Sequence, residues 1–235
     1  MNNTRRKFLL RGSMATAALL TAKPFTSIAN CLSPVTGYYI NNNNLVLVHT
    51  GNNTAAGHQL NIQDVARLKN NAANLLLLHA GNVLANNQAT TVYDASMKQG
   101  EAYSVAADDY KIIYKGDIKT GVISADTNSI DKLNDLAVYL KEEKNCHLVV
   151  CMSQLGYKSN TGLDDLTLAA GSTHLDIIIG GHAENFCKQP VIAQNKNKQE
   201  VIINHTAASC LALRKIEIGF NSRGKKMQIA LTKTI

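Results

Sequence analysis

Six short apolar runs, none alternating with polar residues, limit what this chain can become. They are Leu45-Val46-Leu47-Val48, Leu75-Leu76-Leu77-Leu78, Thr120-Gly121-Val122-Ile123, His147 to Met152, Asp176 to Ile179 and Glu200 to Ile203. A strand with one wet face alternates apolar and polar side chains, so continuous runs read as strands covered on both faces. Two intervening segments can supply that cover. Residues 61–74 and 129–144 carry helical spacing, the second with Ile130, Leu133, Leu136, Ala137 and Leu140 on one stripe. Elements in this order predict a layered α/β domain. Near the C-terminus the period changes. Arg214 to Ile218 and Lys226 to Ile229 alternate around Asn221-Ser222-Arg223-Gly224, which predicts an antiparallel hairpin.

The N-terminus reads as an address. Arg5-Arg6-Lys7-Phe8-Leu9-Leu10 is a twin-arginine consensus, followed by an uncharged Ala- and Leu-rich stretch from Gly12 to Ala22. That stretch falls short of the roughly 20 apolar residues of a membrane span, so no transmembrane segment is expected. Small residues in Ser27-Ile28-Ala29 predict cleavage after Ala29, and Asn30 disfavours lipidation at Cys31. The expected organisation is a twin-arginine signal peptide at 1–29, a polar linker at 30–44 that includes the tract Asn41 to Asn44, and one domain at 45–235. Export by this route would place the mature protein in the periplasm or outside the cell.

Cleavage changes the charge argument. The signal holds five of the 24 basic residues and no acid, so 19 bases face 17 acids in the remainder, a net of +2. A balance so close to neutral gives no support to nucleic acid or an anionic membrane as a partner. Five cysteines, at 31, 146, 151, 187 and 210, cannot all pair within one chain. Cys146 and Cys151 flank one apolar run at an odd offset, which would point them to opposite faces of a strand. Buried free thiols are the expectation, with a Cys187 to Cys210 bridge the alternative that export permits.

In open α/β sheets functional groups collect beyond the carboxyl ends of the strands. Here those loops are His49-Thr50-Gly51-Asn52-Asn53-Thr54, His79-Ala80-Gly81-Asn82, Ser153-Gln154-Leu155-Gly156-Tyr157 and Gly180-Gly181-His182-Ala183-Glu184. Four strands thus deliver imidazole and amide side chains to equivalent ends. The same residues have a purely structural reading. His49, His79 and His182 suit hydrogen-bonded positions in loops, Asn52 and Asn82 suit turns with positive φ, and the glycines suit tight strand-end turns.

In this order, and with these lead-ins, the loops resemble those of the calcineurin-like metallophosphoesterases, most closely the 5'-nucleotidase N-terminal domain. The resemblance runs from about Leu45 to Phe220. It implies a layered α/β/β/α sandwich of the metallophosphoesterase type, with two mixed sheets. That family carries His-Thr-Asn-Asp-x-His, Asp-Ala-Gly-Asp, Gly-Asn-His-Glu, Ser-His-Leu-Gly and Gly-Gly-His-Ser-His at its strand ends. Carried across, its first aspartate falls on Asn52, the histidine after it on Thr54, and the bridging aspartate on Asn82. The Gly-Asn-His-Glu loop matches Gln99-Gly100-Glu101-Ala102 best, so the asparagine ligand becomes Gly100 and the catalytic histidine Glu101. Gln154 replaces the histidine of Ser-His-Leu-Gly. In the last loop His182 is kept and Glu184 stands for its partner histidine.

These departures bear on charge. Two divalent cations a few ångströms apart need anionic oxygens to offset their repulsion, and a bridging carboxylate does most of that. Asn52 and Asn82 are neutral, and the mapping leaves only Glu184 and Glu101 as nearby acids. The expectation is therefore no metal at full occupancy, or at most one weakly bound divalent ion on His182 and Glu184, with His79 as an outside candidate. Two functions follow from the resemblance. One is a non-catalytic binding or assembly partner, whose nucleotide-specific partner would be a separate nucleotidase-type chain or domain. The other is a phosphate monoester hydrolase, acting on a nucleotide-type substrate, with an altered single-metal site. A third reading is a plain receptor whose amide-lined loops recognise a polar small molecule.

Overall fold

The computed structural model describes residues 43–51, 74–80, 90–94, 103–105, 109–125, 129–160, 162–181, 187, 189–206 and 214–232. The chain divides into units Met1–Pro34 and Val35–Ile235, and all the described residues lie in the second. They form two six-stranded sheets. The first contains β1 (Asn44–Gly51), β2 (Leu75–Ala80), β3 (Thr90–Asp94), β4 (Tyr103–Val105), β11 (Arg214–Phe220) and β12 (Lys226–Thr232), in the order β12-β11-β1-β2-β3-β4. The second contains β5 (Tyr110–Lys115), β6 (Ile118–Ala125), β7 (Leu148–Ser153), β8 (Ile177–Gly180), β9 (Val191–Gln194) and β10 (Glu200–His205), in the order β5-β6-β7-β8-β10-β9.

Both sheets are mixed. β1 and β2 run parallel, with β11 and β3 antiparallel beside them. β6, β7, β8 and β10 are mutually parallel, and antiparallel β5 and β9 close the edges. The predicted hairpin is β11 and β12, joined by a turn in which Asn221 Oδ1 accepts the N–H groups of Arg223 and Lys225.

Alternation along each strand divides the core into two layers. Leu45, Leu47, Leu76, Leu78, Ile216 and Ile218 of the first sheet meet Leu148, Val150, Met152, Ile177 and Ile179 of the second. On the other face of the second sheet, Val149, Cys151, Ile178 and Ile203 pack under the helices. This two-sided burial is why β7 and β8 are continuously apolar. The layered α/β sandwich expected from the runs is the architecture found.

Helix α1 (Ile130–Val138) starts at Ser129, whose hydroxyl accepts the Asp131 N–H at 3.2 Å. Its stripe continues through a π-helical turn (Tyr139–Glu143) that buries Leu140. Helix α2 (Asp165–Gly171) is capped by Asp164, which accepts from Thr167 N at 2.6 Å and from Ser159 N at 2.9 Å. The helix expected at 61–74 lies outside the described residues, apart from the turn residue Asn74.

One expectation about the thiols is corrected. Cys146 precedes β7 rather than belonging to it, so strand parity does not apply, and Cys146 and Cys151 share the helix-side layer. Cys146, Cys151 and Cys187 are buried and free, as the thiol reading expected.

Candidate functional site at the strand-end rim

The carboxyl ends of the strands in the two sheets meet. Gly181, just beyond β8, lies so close to β2 that an added Cβ would sit 1.2 Å from the Ala80 carbonyl oxygen. Its N–H donates to the Ser153 carbonyl at the end of β7, 2.9 Å away. Gly180 is equally constrained, since a Cβ there would lie 2.3 Å from the His205 ring. Both glycines therefore serve close packing rather than the tight turns expected of them. Neither is among the glycines with positive φ.

Along the inter-sheet layer the apolar stripes turn polar at this rim. His49 follows Leu45 and Leu47 on β1, Asn204 follows Ile202 on β10, and Arg214 opens the stripe of Ile216 and Ile218 on β11. His49 and Arg214 are directly paired in register, and Arg214 Nη1 donates to Asn204 Oδ1 at 3.1 Å, bridging the sheets. Burial, then the positive charge of Arg214, then His205 push the His49 pKa down to about 3. The ring is neutral at any physiological pH, and neither nitrogen has a hydrogen-bond partner among the described residues. This differs from the bonded loop histidine expected from the sequence, because His49 lies inside β1 with no exposure at all. His79 is the bonded one: its Nδ1 shares a 2.5 Å hydrogen bond with Thr50 Oγ1, and burial lowers its pKa.

Behind the rim, on the helix side, lies a group that sequence reasoning missed. Ser153 Oγ donates to Asp165 Oδ1, and Asp165 Oδ2 approaches His205 Nε2 to 2.8 Å, a close contact not aligned as a hydrogen bond. All three residues are fully buried. Asp165 sits between the serine and the histidine, so among the described residues no imidazole faces the hydroxyl to act as its base. These three residues are therefore not arranged as a nucleophilic triad. What the group does is position the loop after β7, because Ser153 Oγ also accepts the Leu155 N–H at 3.1 Å. Tyr157 closes over it, edge-on to the His205 ring at 6.0 Å.

Of the residues singled out from sequence, Gln154 is described, half-buried and directly after β7. Asn52, Thr54, Asn82, Gly100, Glu101, His182 and Glu184 lie outside the described residues. The strands that lead to Asn52, Asn82, Gln154 and His182 do end at this one rim. Among the described residues no group of three or more His, Cys, Asp or Glu is placed to hold a metal ion. Asp165 and His205 are already spent on each other behind the rim, and Gln154, His49 and His79 bring no negative charge. The described donors therefore do not fit a two-metal centre.

Neither a protein-family model nor a curated protein sequence matches the chain. Solved structures do. The 5'-nucleotidase precursor from Thermus thermophilus superposes with a TM-score of 0.60 at 17% identity, over 82% of this chain and 54% of that one. The Haemophilus influenzae NAD nucleotidase gives 0.57 at 13% identity, over 81% of this chain and 49% of that one. A putative 5'-nucleotidase from Staphylococcus aureus gives 0.51 at 9% identity, over 82% and 54%. These likenesses establish the class of fold, that of the solved 5'-nucleotidases. The chain spans about half the length of each.

Proposed function

We propose that this chain is an exported 5'-nucleotidase-like metallophosphatase domain with a degenerate metal site, acting as a binding or assembly partner with little or no two-metal phosphatase activity. The observation that carries the reading is the charge of the rim: neutral His49, His79 and Gln154 are joined by a cationic Arg214, with no carboxylate facing them among the described residues. The resemblance adds neutral Asn52 and Asn82 where the family has aspartates. A divalent pair would meet uncompensated repulsion there. The rim's own groups can still hold a polar ligand. Gln154, half-buried directly after β7, offers an amide for one.

The test is elemental analysis of the purified protein, with turnover of a generic phosphate ester in added manganese or zinc. The expected result is no stoichiometric pair of metals, turnover near background, and no effect of His182→Ala on fold or assay. Restoring aspartate with Asn52→Asp and Asn82→Asp should raise metal affinity without rebuilding catalysis, because Thr54, Gly100 and Gln154 still lack the family's donors. The second reading, a hydrolase with one metal on His182 and Glu184, rests on the retained histidine and its acidic neighbour. Metal-dependent hydrolysis by the unmodified protein, abolished by His182→Ala, would establish it in place of the first.

A further inference from the structure

A second concave surface lies at the opposite ends of the strands. It is a cleft of about 650 Å³ formed by the π-helical turn, the segments leading into β7 and β8, the start of β10 and the β11–β12 turn. That volume is in the range of small-ligand sites. Lys141, Arg223, Lys225 and Lys226 set four cations on its wall against two carboxylates, Asp176 and Glu200.

What distinguishes the cleft from an ordinary basic surface is how it is braced. The largely buried Asp176 carboxylate contacts Lys141 Nζ at 2.7 Å and Lys226 Nζ at 2.9 Å, and accepts the Val149 N–H at 2.8 Å. Burial alone would raise its pKa, but the two lysines hold it below the ordinary aspartate value. Lys141 is fixed a second time by donating to the His147 carbonyl at 2.9 Å. The β11–β12 turn is fixed too. Gly224 has φ +72° and packs so closely on His147 that a Cβ would lie 2.4 Å from the ring. Asn145, also on the wall, holds a left-handed φ of 55°. One carboxylate thus holds two ammonium groups from distant parts of the chain on one surface, while Arg223 and Lys225 project from a rigid turn beside them.

We propose that this cleft is a binding site for a small multivalent oxyanion, of the phosphate or polycarboxylate class. Lysines act on such ligands as point charges, and pre-positioning them removes the ordering cost that makes loose surface lysines weak binders. The site is separate from the strand-end rim, so it stands or falls independently of the metal content there.

Calorimetric titration of the full chain with inorganic pyrophosphate, and in parallel with citrate, tests it. One saturating site is expected, and the tighter of the two probes identifies the class. Arg223→Gln with Lys225→Gln touches neither Asp176 nor the turn's Asn221 bonds, and should weaken binding about tenfold or more at an unchanged melting temperature. Asp176→Asn separates a built site from a basic surface. A braced cleft loses affinity when its lysines are released, whereas a diffuse positive patch gains it when a negative charge is removed. Absence of saturable binding, wild-type affinity in the double variant, or tighter binding by Asp176→Asn would each overturn the proposal. Should Asp176→Asn fail to fold, the turn variant decides alone.

Discussion

His49 and Gly181 carry the rim's most local constraints. The folded state holds His49 with a pKa of about 3 against an ordinary value of 6.5, so between those values the unfolded chain binds a proton that the native one refuses. Its contribution is complete above pH 6.5 and is lost as pH falls, by at most about 1.4 kcal/mol per pH unit. Chemical denaturation from pH 7 down to about 4.5, before most carboxylates titrate, should show this slope in the parent and a flatter one in His49→Met. Equal slopes would mean that His49 is not sealed from water. At Gly181 a methyl group must displace the Ala80 carbonyl or part the sheets, so Gly181→Ala should lose about 2–4 kcal/mol in a thermal or denaturant melt. Parent-like stability would remove the close approach. The sequence made these two positions visible as strand-end His and Gly but misread both, because burial depth and inter-sheet distance are properties of two strands rather than one. Asp165 was missed for a related reason. Its partners Ser153 and His205 are far away in sequence, and the only local sign is an aspartate pair opening a short helix.

Elements were legible in proportion to how completely they are buried. β1, β2, β6, β7, β8 and β10 announce themselves as unbroken apolar runs because both faces are covered, and β11 and β12 do so by alternation around a turn. β3, β4, β5 and β9 were not foreseen. β4, β5 and β9 are sheet edges or short, and β9 alternates half-buried with exposed residues over only four positions, too few to separate a strand from a loop. Helix α2 escaped for its length of seven residues. An isolated helix of that size is unstable in water, so its cap matters more than its propensity. Asp164→Ala removes both acceptors that tie down Ser159 and Thr167, and about 1 kcal/mol should go with them. Because α2 begins with Asp165, the same substitution should also loosen the Ser153 loop, seen as faster amide exchange at Leu155. Unchanged exchange there would uncouple the helix from the rim.

For the whole molecule, the predictions concern where the protein works and with what. Twin-arginine export is proposed from Arg5 and Arg6 and tested by changing both to lysine, which should leave the chain unprocessed in the cytoplasm. Export at the parental level would show that the route is misassigned. Among the described residues no helix is long and apolar enough to cross a membrane. A separate nucleotidase-type chain is proposed as its partner and should co-purify or cross-link with it in cell extracts; recovery of the protein alone would count against that role. The architecture was readable because it depends on the order of apolar runs. The chemistry was only partly so, since it depends on which charges reach one rim.

The three buried thiols make the protein its own clock. Cys146 and Cys151 lie in the layer between the second sheet and its helices, at 4% and 0% exposure, and burial raises both of their pKa values, so neither offers an alkylating reagent an accessible thiolate. Alkylation must wait for that layer to part. The rate at which each thiol gains mass under iodoacetamide then reports the parting of that layer: it rises with reagent concentration while reclosing outruns alkylation, and levels off at the opening rate once alkylation outruns reclosing.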